Sequence, residues 1–201
     1  MQKILLVLIM LLASCPVLAY TDIELLKTPK TLSCFFLLPT DSSVISSGLV
    51  YNQKQNDKLA LEVSGTFYEN IYPFTKNAAR IRVNEKYKIS EFGPVTLTVM
   101  AGPAIYYAPG TGLGLAADAG GIFSVKISGN LAASLAINGT IFKDGIGLDA
   151  EPMINFAPPF LINTEIYGGA RLETSMAGFS LTGVSSGMIK YYANAGLRIG
   201  F

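Results

Sequence analysis

The chain has 201 residues, of which 50% are hydrophobic and 14% charged, against about 25% charged in ordinary soluble proteins. Its net charge of +1 gives no field that would attract nucleic acid, so no nucleic-acid partner is expected. Histidine is absent, which excludes catalytic triads built on histidine. The two cysteines are too few for a four-cysteine metal site. We therefore expect no cofactor and no metal.

The first residues have the features of a bacterial export signal. Lys3 supplies a positive charge, residues 4–13 are apolar, and Pro16 follows them. Small residues then precede a cleavage point after Ala19. Ten apolar residues are too few to cross a bilayer, which takes about 20. We therefore predict a removable signal peptide over residues 1–19.

A lipoprotein signal is the alternative interpretation of the same segment. Residues 12–15, with the sequence Leu-Ala-Ser-Cys, resemble the lipobox of bacterial lipoproteins, in which Cys15 is the acylated residue. Pro16, directly after the cysteine, disfavours that processing. The cut after Ala19 remains the main prediction.

Residues 20–43 show no clear period and are interpreted as a periplasmic lead-in or a short strand. From about Val44 onward, apolar and polar residues alternate with a period of two, which is typical of β-strands. Short turn sequences separate the runs. The pattern predicts an all-β, antiparallel, up-and-down transmembrane barrel over residues 44–201. We count ten strands, with weak ones at 44–52 and 179–184, and eight is the alternative.

The polar face of these strands is unusual for a protein in water. It is rich in small residues and carries charges of both signs, which suits a narrow barrel interior where buried charges must pair. The predicted interior charge network consists of Glu62, Arg80, Arg82, Lys86, Lys88, Asp118, Asp149, Glu151, Glu165, Arg171 and Arg198.

The apolar face is almost free of charge, with Glu85 as the exception. A Lys or Arg on the lipid-facing side of a barrel costs about 2–4 kcal/mol at the bilayer midplane, so such a face favours a membrane barrel. Barrel closure also pairs every backbone N–H and C=O group, as a bilayer requires.

The end of the chain resembles the C-terminal strand of bacterial outer-membrane β-barrel proteins. Tyr191, Leu197 and Ile199 lie on one face of an alternating segment, and the aromatic Phe201 is the last residue. The resemblance implies that Tyr191, Leu197, Ile199 and Phe201 form the signal read by the barrel assembly machinery. It also implies an outer-membrane location, with membrane lipid and lipopolysaccharide as partners.

Asp149 and Glu151 are two residues apart, so their carboxylates lie on one face of a predicted strand. Such a pair is able to do acid–base work or bind a cation, but interior cations such as Arg80, Arg82 or Arg171 provide a simpler, structural role. We therefore predict no enzyme activity. The expected function is structural or scaffolding, with limited passage of small solutes and an unspecified oligomeric state.

A second candidate function is a periplasmic or lipid-tethered β-barrel that binds an apolar ligand. In that case Leu59, Leu97, Leu115 and Leu135 would line an internal cavity, and the charges would face water.

Overall fold

The computed structural model describes residues 28–40, 44–70, 77–109, 112–143, 145–178 and 189–201. Within these residues, ten β-strands follow one another. They are β1 (Lys30–Pro39), β2 (Val44–Lys54), β3 (Leu59–Asn70), β4 (Ala78–Phe92), β5 (Val95–Ala108), β6 (Gly112–Lys126), β7 (Leu131–Phe142), β8 (Gly145–Phe156), β9 (Thr164–Gly178) and β10 (Ile189–Gly200).

The strands form one closed antiparallel barrel. Each strand pairs with the next in sequence, and β1 pairs with β10 to complete the ring. Closure leaves no unpaired sheet edge. The predicted fold class and the count of ten strands are confirmed, and the alternative of eight is wrong.

The first strand decides between the two interpretations of residues 20–43: the part from Lys30 to Pro39 is a strand and not a lead-in. Lys30–Pro39 is a full strand of the barrel, paired with β2 on one side and β10 on the other. Its alternation is hidden in the sequence because both faces carry apolar side chains. Phe35 and Leu37 are buried inside, whereas Leu32 and Leu38 are exposed outside. The barrel therefore begins at Lys30 and not at Val44.

The predicted ninth strand, at 179–184, lies outside the described residues, as do the predicted signal peptide and Cys15. Among the described strands, β9 pairs directly with β10 from Ile189↔Thr174 to Ile199↔Thr164. The tenth position in the ring is taken by β1 instead.

The barrel has two distinct ends. We call the end that carries Thr28 and Phe201 the terminal end; the turns at 55–58, 93–94, 127–130 and 157–163 lie there too. The other end, called the opposite end, carries the β1–β2, β3–β4, β5–β6, β7–β8 and β9–β10 connections.

Glycines allow neighbouring strands to approach closely, and Gly102 and Gly169 are two examples. A Cβ atom on Gly102 of β5 would lie 1.8 Å from the carbonyl oxygen of Val83 on β4. A Cβ atom on Gly169 of β9 would lie 2.1 Å from the carbonyl oxygen of Pro152 on β8. No other residue fits without a shift of the backbone, and such glycine positions let a sheet bend tightly enough to close.

Candidate functional site: the charged interior of the barrel

The barrel has the inverse polarity of a soluble protein. Large apolar side chains cover its outside, with Ile81 59% and Leu115 74% exposed. Charged side chains fill its inside, and Arg82 and Arg171 are among the largest fully buried ones. Buried charges need partners, because removing an ion from water costs several kcal/mol. The interior supplies those partners in three groups.

The first group joins strands β3, β4 and β6. Nζ of Lys86 lies 2.5 Å from the carboxylate of Glu62 and donates a hydrogen bond to Asn52 at 3.0 Å. Arg82 connects the two carboxylates of the group, at 3.7 Å from Glu62 and 3.9 Å from Asp118. Arg80 also lies 3.9 Å from Asp118.

Hydroxyl groups complete this first group. The Thr140 hydroxyl donates to Asp118 at 2.5 Å and accepts from Arg80 at 3.1 Å. Arg82 donates from Nε to the hydroxyl of Ser64 at 2.8 Å. The charges are thus held by hydrogen bonds on several strands, which fixes their geometry.

The second group surrounds Arg171 on β9. Its guanidinium lies 3.1 Å from Glu151, 3.3 Å from Asp149 and 3.8 Å from Glu173. The paired carboxylates Asp149 and Glu151 therefore share a cation on the neighbouring strand, as the structural interpretation of that pair predicts.

The third group lies towards the terminal end. The guanidinium of Arg198 on β10 makes a short ion pair with Glu165 on β9 and donates to the hydroxyl of Ser33 on β1 at 3.3 Å. Its carbon Cζ lies 5.2 Å from the centre of the Tyr167 ring, within cation–π distance. This group ties together the three strands at which the ring closes.

Lys88 differs from the other predicted members of the network. The register of β4 and β5 shifts between Lys88 and Ser90. Its side chain is 12% exposed and pairs with the exposed Glu91 at 2.9 Å, near the β4–β5 turn. Lys88 thus belongs to the rim of the terminal end, whereas the other ten predicted residues are buried.

An apolar layer inside the barrel was not predicted from the sequence. Its side chains are buried and pack across the interior from different strands. They are Phe35, Leu37, Val50, Met153, Tyr167 and Tyr192, with Met100, Ile122 and Ala136 as a further cluster. The signal available in the sequence was the continuous apolar run 34–38, which is apolar on both faces of β1.

Cavities lie at both ends of the barrel. One of about 180 Å³ is at the terminal end, lined by Thr31, Asn163, Glu165 and Arg198 among others. One of about 20 Å³ is at the opposite end, beside Tyr68 and Glu173. Buried charged and apolar side chains lie between these two cavities.

The predicted assembly residues lie on the outside of β10. Tyr191 is 52%, Ile199 48% and Phe201 61% exposed, and Leu197 is partly exposed. The backbone N–H of Phe201 donates to the carbonyl of Lys30 at 2.9 Å. The last residue is therefore held in the seam between the first and last strands.

The structure contradicts the alternative in which an apolar ligand occupies the barrel. Leu97, Leu115 and Leu135, predicted to line an internal cavity, point outward and are 37%, 74% and 38% exposed. The charged residues that this alternative placed in water are the ones that fill the interior.

The described residues contain no group of three or more Cys, Asp or Glu side chains able to hold a metal ion. Within the same parts of the chain, no helix is long and apolar enough to cross a membrane.

Solved structures of 22 chains are similar to this chain, and they include Neisserial surface protein A and a designed transmembrane β-barrel. Neisserial surface protein A, NspA, is 16% identical, with 86% of this chain and 94% of that chain covered and a TM-score of 0.38. A chain from the de novo design of transmembrane β-barrels is 13% identical, with 86% and 96% covered and a TM-score of 0.36. No protein-family model matches the chain, and no curated protein matches it.

Proposed function

We propose that this protein is an outer-membrane β-barrel of a Gram-negative-type bacterium with a structural or scaffolding role and at most limited passage of small solutes. The observation that carries the proposal is the inverse polarity of a closed ring: charges inside, apolar side chains outside.

A bilayer explains that polarity better than water does. An outer surface with exposed residues such as Ile81, Ile105 and Leu115 would aggregate in water, because contiguous exposed apolar patches larger than several hundred Å² are rare in soluble monomers. In lipid the same surface is favourable. The closed ring then satisfies the backbone hydrogen bonds that lipid does not satisfy.

The filled interior supports a structural role over that of an open channel. Arg82, Arg171, Phe35 and Tyr192 are almost completely buried and occupy the space where a pore would run. Barrels of about eight strands are just wide enough for side chains to fill them, and large buried side chains occupy the interior of this ten-strand ring in the same way.

Export and assembly complete the proposal. The chain enters the periplasm with a signal peptide cut after Ala19, or as a lipoprotein acylated at Cys15, and both ends of the mature barrel face the periplasm. The barrel assembly machinery reads the strand that ends at Phe201. The outer face then contacts membrane lipid and lipopolysaccharide. No catalytic role and no cofactor form part of this proposal.

Fractionation of expressing cells tests the location. We expect the protein in the outer-membrane fraction, with a mobility on a detergent gel that changes when the sample is boiled. Recovery as a soluble periplasmic protein without such a change would refute the membrane proposal. Ion current across a planar bilayer then tests the role: the folded protein is expected to give no steady conductance, and a large stable one would identify a pore instead.

A further inference from the structure

Glu85 is an exception on the outer surface of the barrel. Among the outward-facing residues in the middle of the described strands, it is the only charged one. It lies at the centre of β4, between the outward-facing Val83 and Tyr87, which are 38% and 49% exposed. Its own side chain is exposed, and it has no hydrogen-bond or ion-pair partner among the described residues.

A lone carboxylate at this depth points to function. Charged residues within the apolar span of membrane proteins are costly, so they persist where they meet a partner group. Glu85 is too short to reach the membrane surface from mid-strand, because only long side chains near the ends of a span do so. The partner group must therefore come to Glu85.

The surface beside Glu85 allows a close approach. Glu85 lies opposite Ala101 of β5, which lies opposite Ala119 of β6, which lies opposite Gly139 of β7. On the β5 side of the carboxylate this row contains no side chain larger than a methyl group, whereas Leu61 of β3 lies opposite Glu85 on the other side. A neighbouring backbone is thus able to come near the sheet, as small residues permit between membrane segments.

The identity of the partner follows from charge. A second copy of this chain has no outward-facing Lys or Arg in the middle of its described strands, so it offers Glu85 no cation at the required depth. A lipid head group stays at the membrane surface. A cation at this depth can come from a membrane-embedded segment of another protein that carries a basic side chain.

We propose that the outer face of β4 and β5 around Glu85 binds a second, different membrane protein, which presents a Lys or Arg side chain to the Glu85 carboxylate within the bilayer. This proposal rests on the membrane location proposed above but not on the sealed interior.

Site-directed photo-cross-linking in cells that express the full chain tests the surface. A photoreactive amino acid is placed at position 101, next to Glu85, and in a control chain at position 154. Ile154 serves as the control because it also faces outward from a strand, is 48% exposed and lies on β8, away from β4. Membrane insertion of each chain is checked by the mobility of the unheated protein on a gel.

We expect a discrete cross-linked product from position 101 that is absent from position 154 and is lost with Glu85→Gln. Mass spectrometry should place the cross-link in a membrane segment of another protein beside a Lys or Arg. Replacement of that basic residue by Glu should abolish the product, and combination with Glu85→Lys should restore it.

Three results would overturn the proposal in correctly inserted chains: equal products from both positions, a product that contains two copies of this chain, or a product unaffected by Glu85→Gln. If the chains are absent from the membrane, the proposed location fails instead, so the two failures are distinguishable.

Discussion

Nζ of Lys86 and a carboxylate oxygen of Glu62 lie 2.5 Å apart inside the barrel, on neighbouring strands, with at most 1% of either side chain exposed. The pair is removed from solvent, so both charges depend on partners inside the barrel, and each is the nearest ionic partner of the other. The surface pair Lys54–Asp57, at 3.3 Å, has side chains that are 26% and 95% exposed. Both pairs lie within ion-pair distance, but one is buried and the other is exposed, and the effect of this difference on stability can be measured.

Lys86→Met should destabilise the folded barrel by on the order of 3 kcal/mol, because it leaves the Glu62 carboxylate buried beside the more distant Arg82. Lys54→Met should cost less than about 1 kcal/mol, since exposed ion pairs contribute little. Urea unfolding of the barrel in lipid vesicles measures both. The double variant Lys86→Met with Glu62→Leu should recover most of the loss. If Lys86→Met is as stable as the unchanged protein, the buried pair does not contribute to the stability of the barrel.

Gly102→Ala should weaken barrel closure, because the new methyl group would meet the carbonyl oxygen of Val83. We expect the free energy of unfolding to fall by about 1–3 kcal/mol, which is typical of an overpacked site. Alternatively, the variant should fail to form the folded band whose gel mobility changes on boiling. Gly65→Ala is the matched control within a strand, since no atom lies within 4 Å of its added Cβ. Equal behaviour of the two variants in urea unfolding and gel mobility would contradict the close approach seen at Gly102.

Lysine accessibility should separate the inside of the barrel from its rim. Lys86 is buried, whereas Lys58 and Lys126 are exposed. A water-soluble amine reagent should modify Lys58 and Lys126 in the folded protein and reach Lys86 only after unfolding, as read by peptide mass spectrometry. Rapid modification of Lys86 in the folded barrel would mean that the charged face is open to water.

Removal of the apolar layer should open a conducting path. Phe35→Ala combined with Met153→Ala deletes two buried side chains from the interior, so we expect discrete ion currents in planar bilayers. Phe36→Ala is the control, because Phe36 is only partly buried and its neighbour Phe35 keeps the interior filled. If the double variant gives no current, the charged groups and not the apolar layer block the passage of ions through the barrel.

Deletion of Phe201 should impair assembly far more than stability. The residue is 61% exposed, and its described backbone contact is one hydrogen bond to Lys30. The loss of that bond costs about 1 kcal/mol in the refolded protein. In cells, however, the amount of assembled barrel should fall sharply if the machinery reads this residue. A parallel fall in refolded stability would instead make Phe201 a structural residue.

The sequence by itself determined the strand character of the chain and the direction of most side chains. Because side chains in a strand alternate between two faces, the positions of Arg80, Arg82 and Lys86 on one face could be inferred from the order of residues alone. The absence of charge on the other face, apart from Glu85, followed in the same way.

The tertiary structure decided which charges meet. Asp149 and Glu151 were expected to pair with Arg80, Arg82 or Arg171, and only the register of β8 and β9 selects Arg171. Glu165 and Glu173 both flank Arg171 in sequence, yet Glu165 pairs with Arg198 across the β9–β10 seam. Alternation assigns a face to a residue, but a partner depends on strand pairing between distant parts of the chain.

The tertiary structure also decided where the ring closes. Lys30–Pro39 carries apolar residues on both faces, so its sequence has no period to reveal a strand. Phe35 is completely buried because the closed interior is narrow enough for its ring to pack against other strands. That interior forms only when β1 pairs with β10. Local pattern thus specified the strands, and long-range pairing specified the barrel's interior.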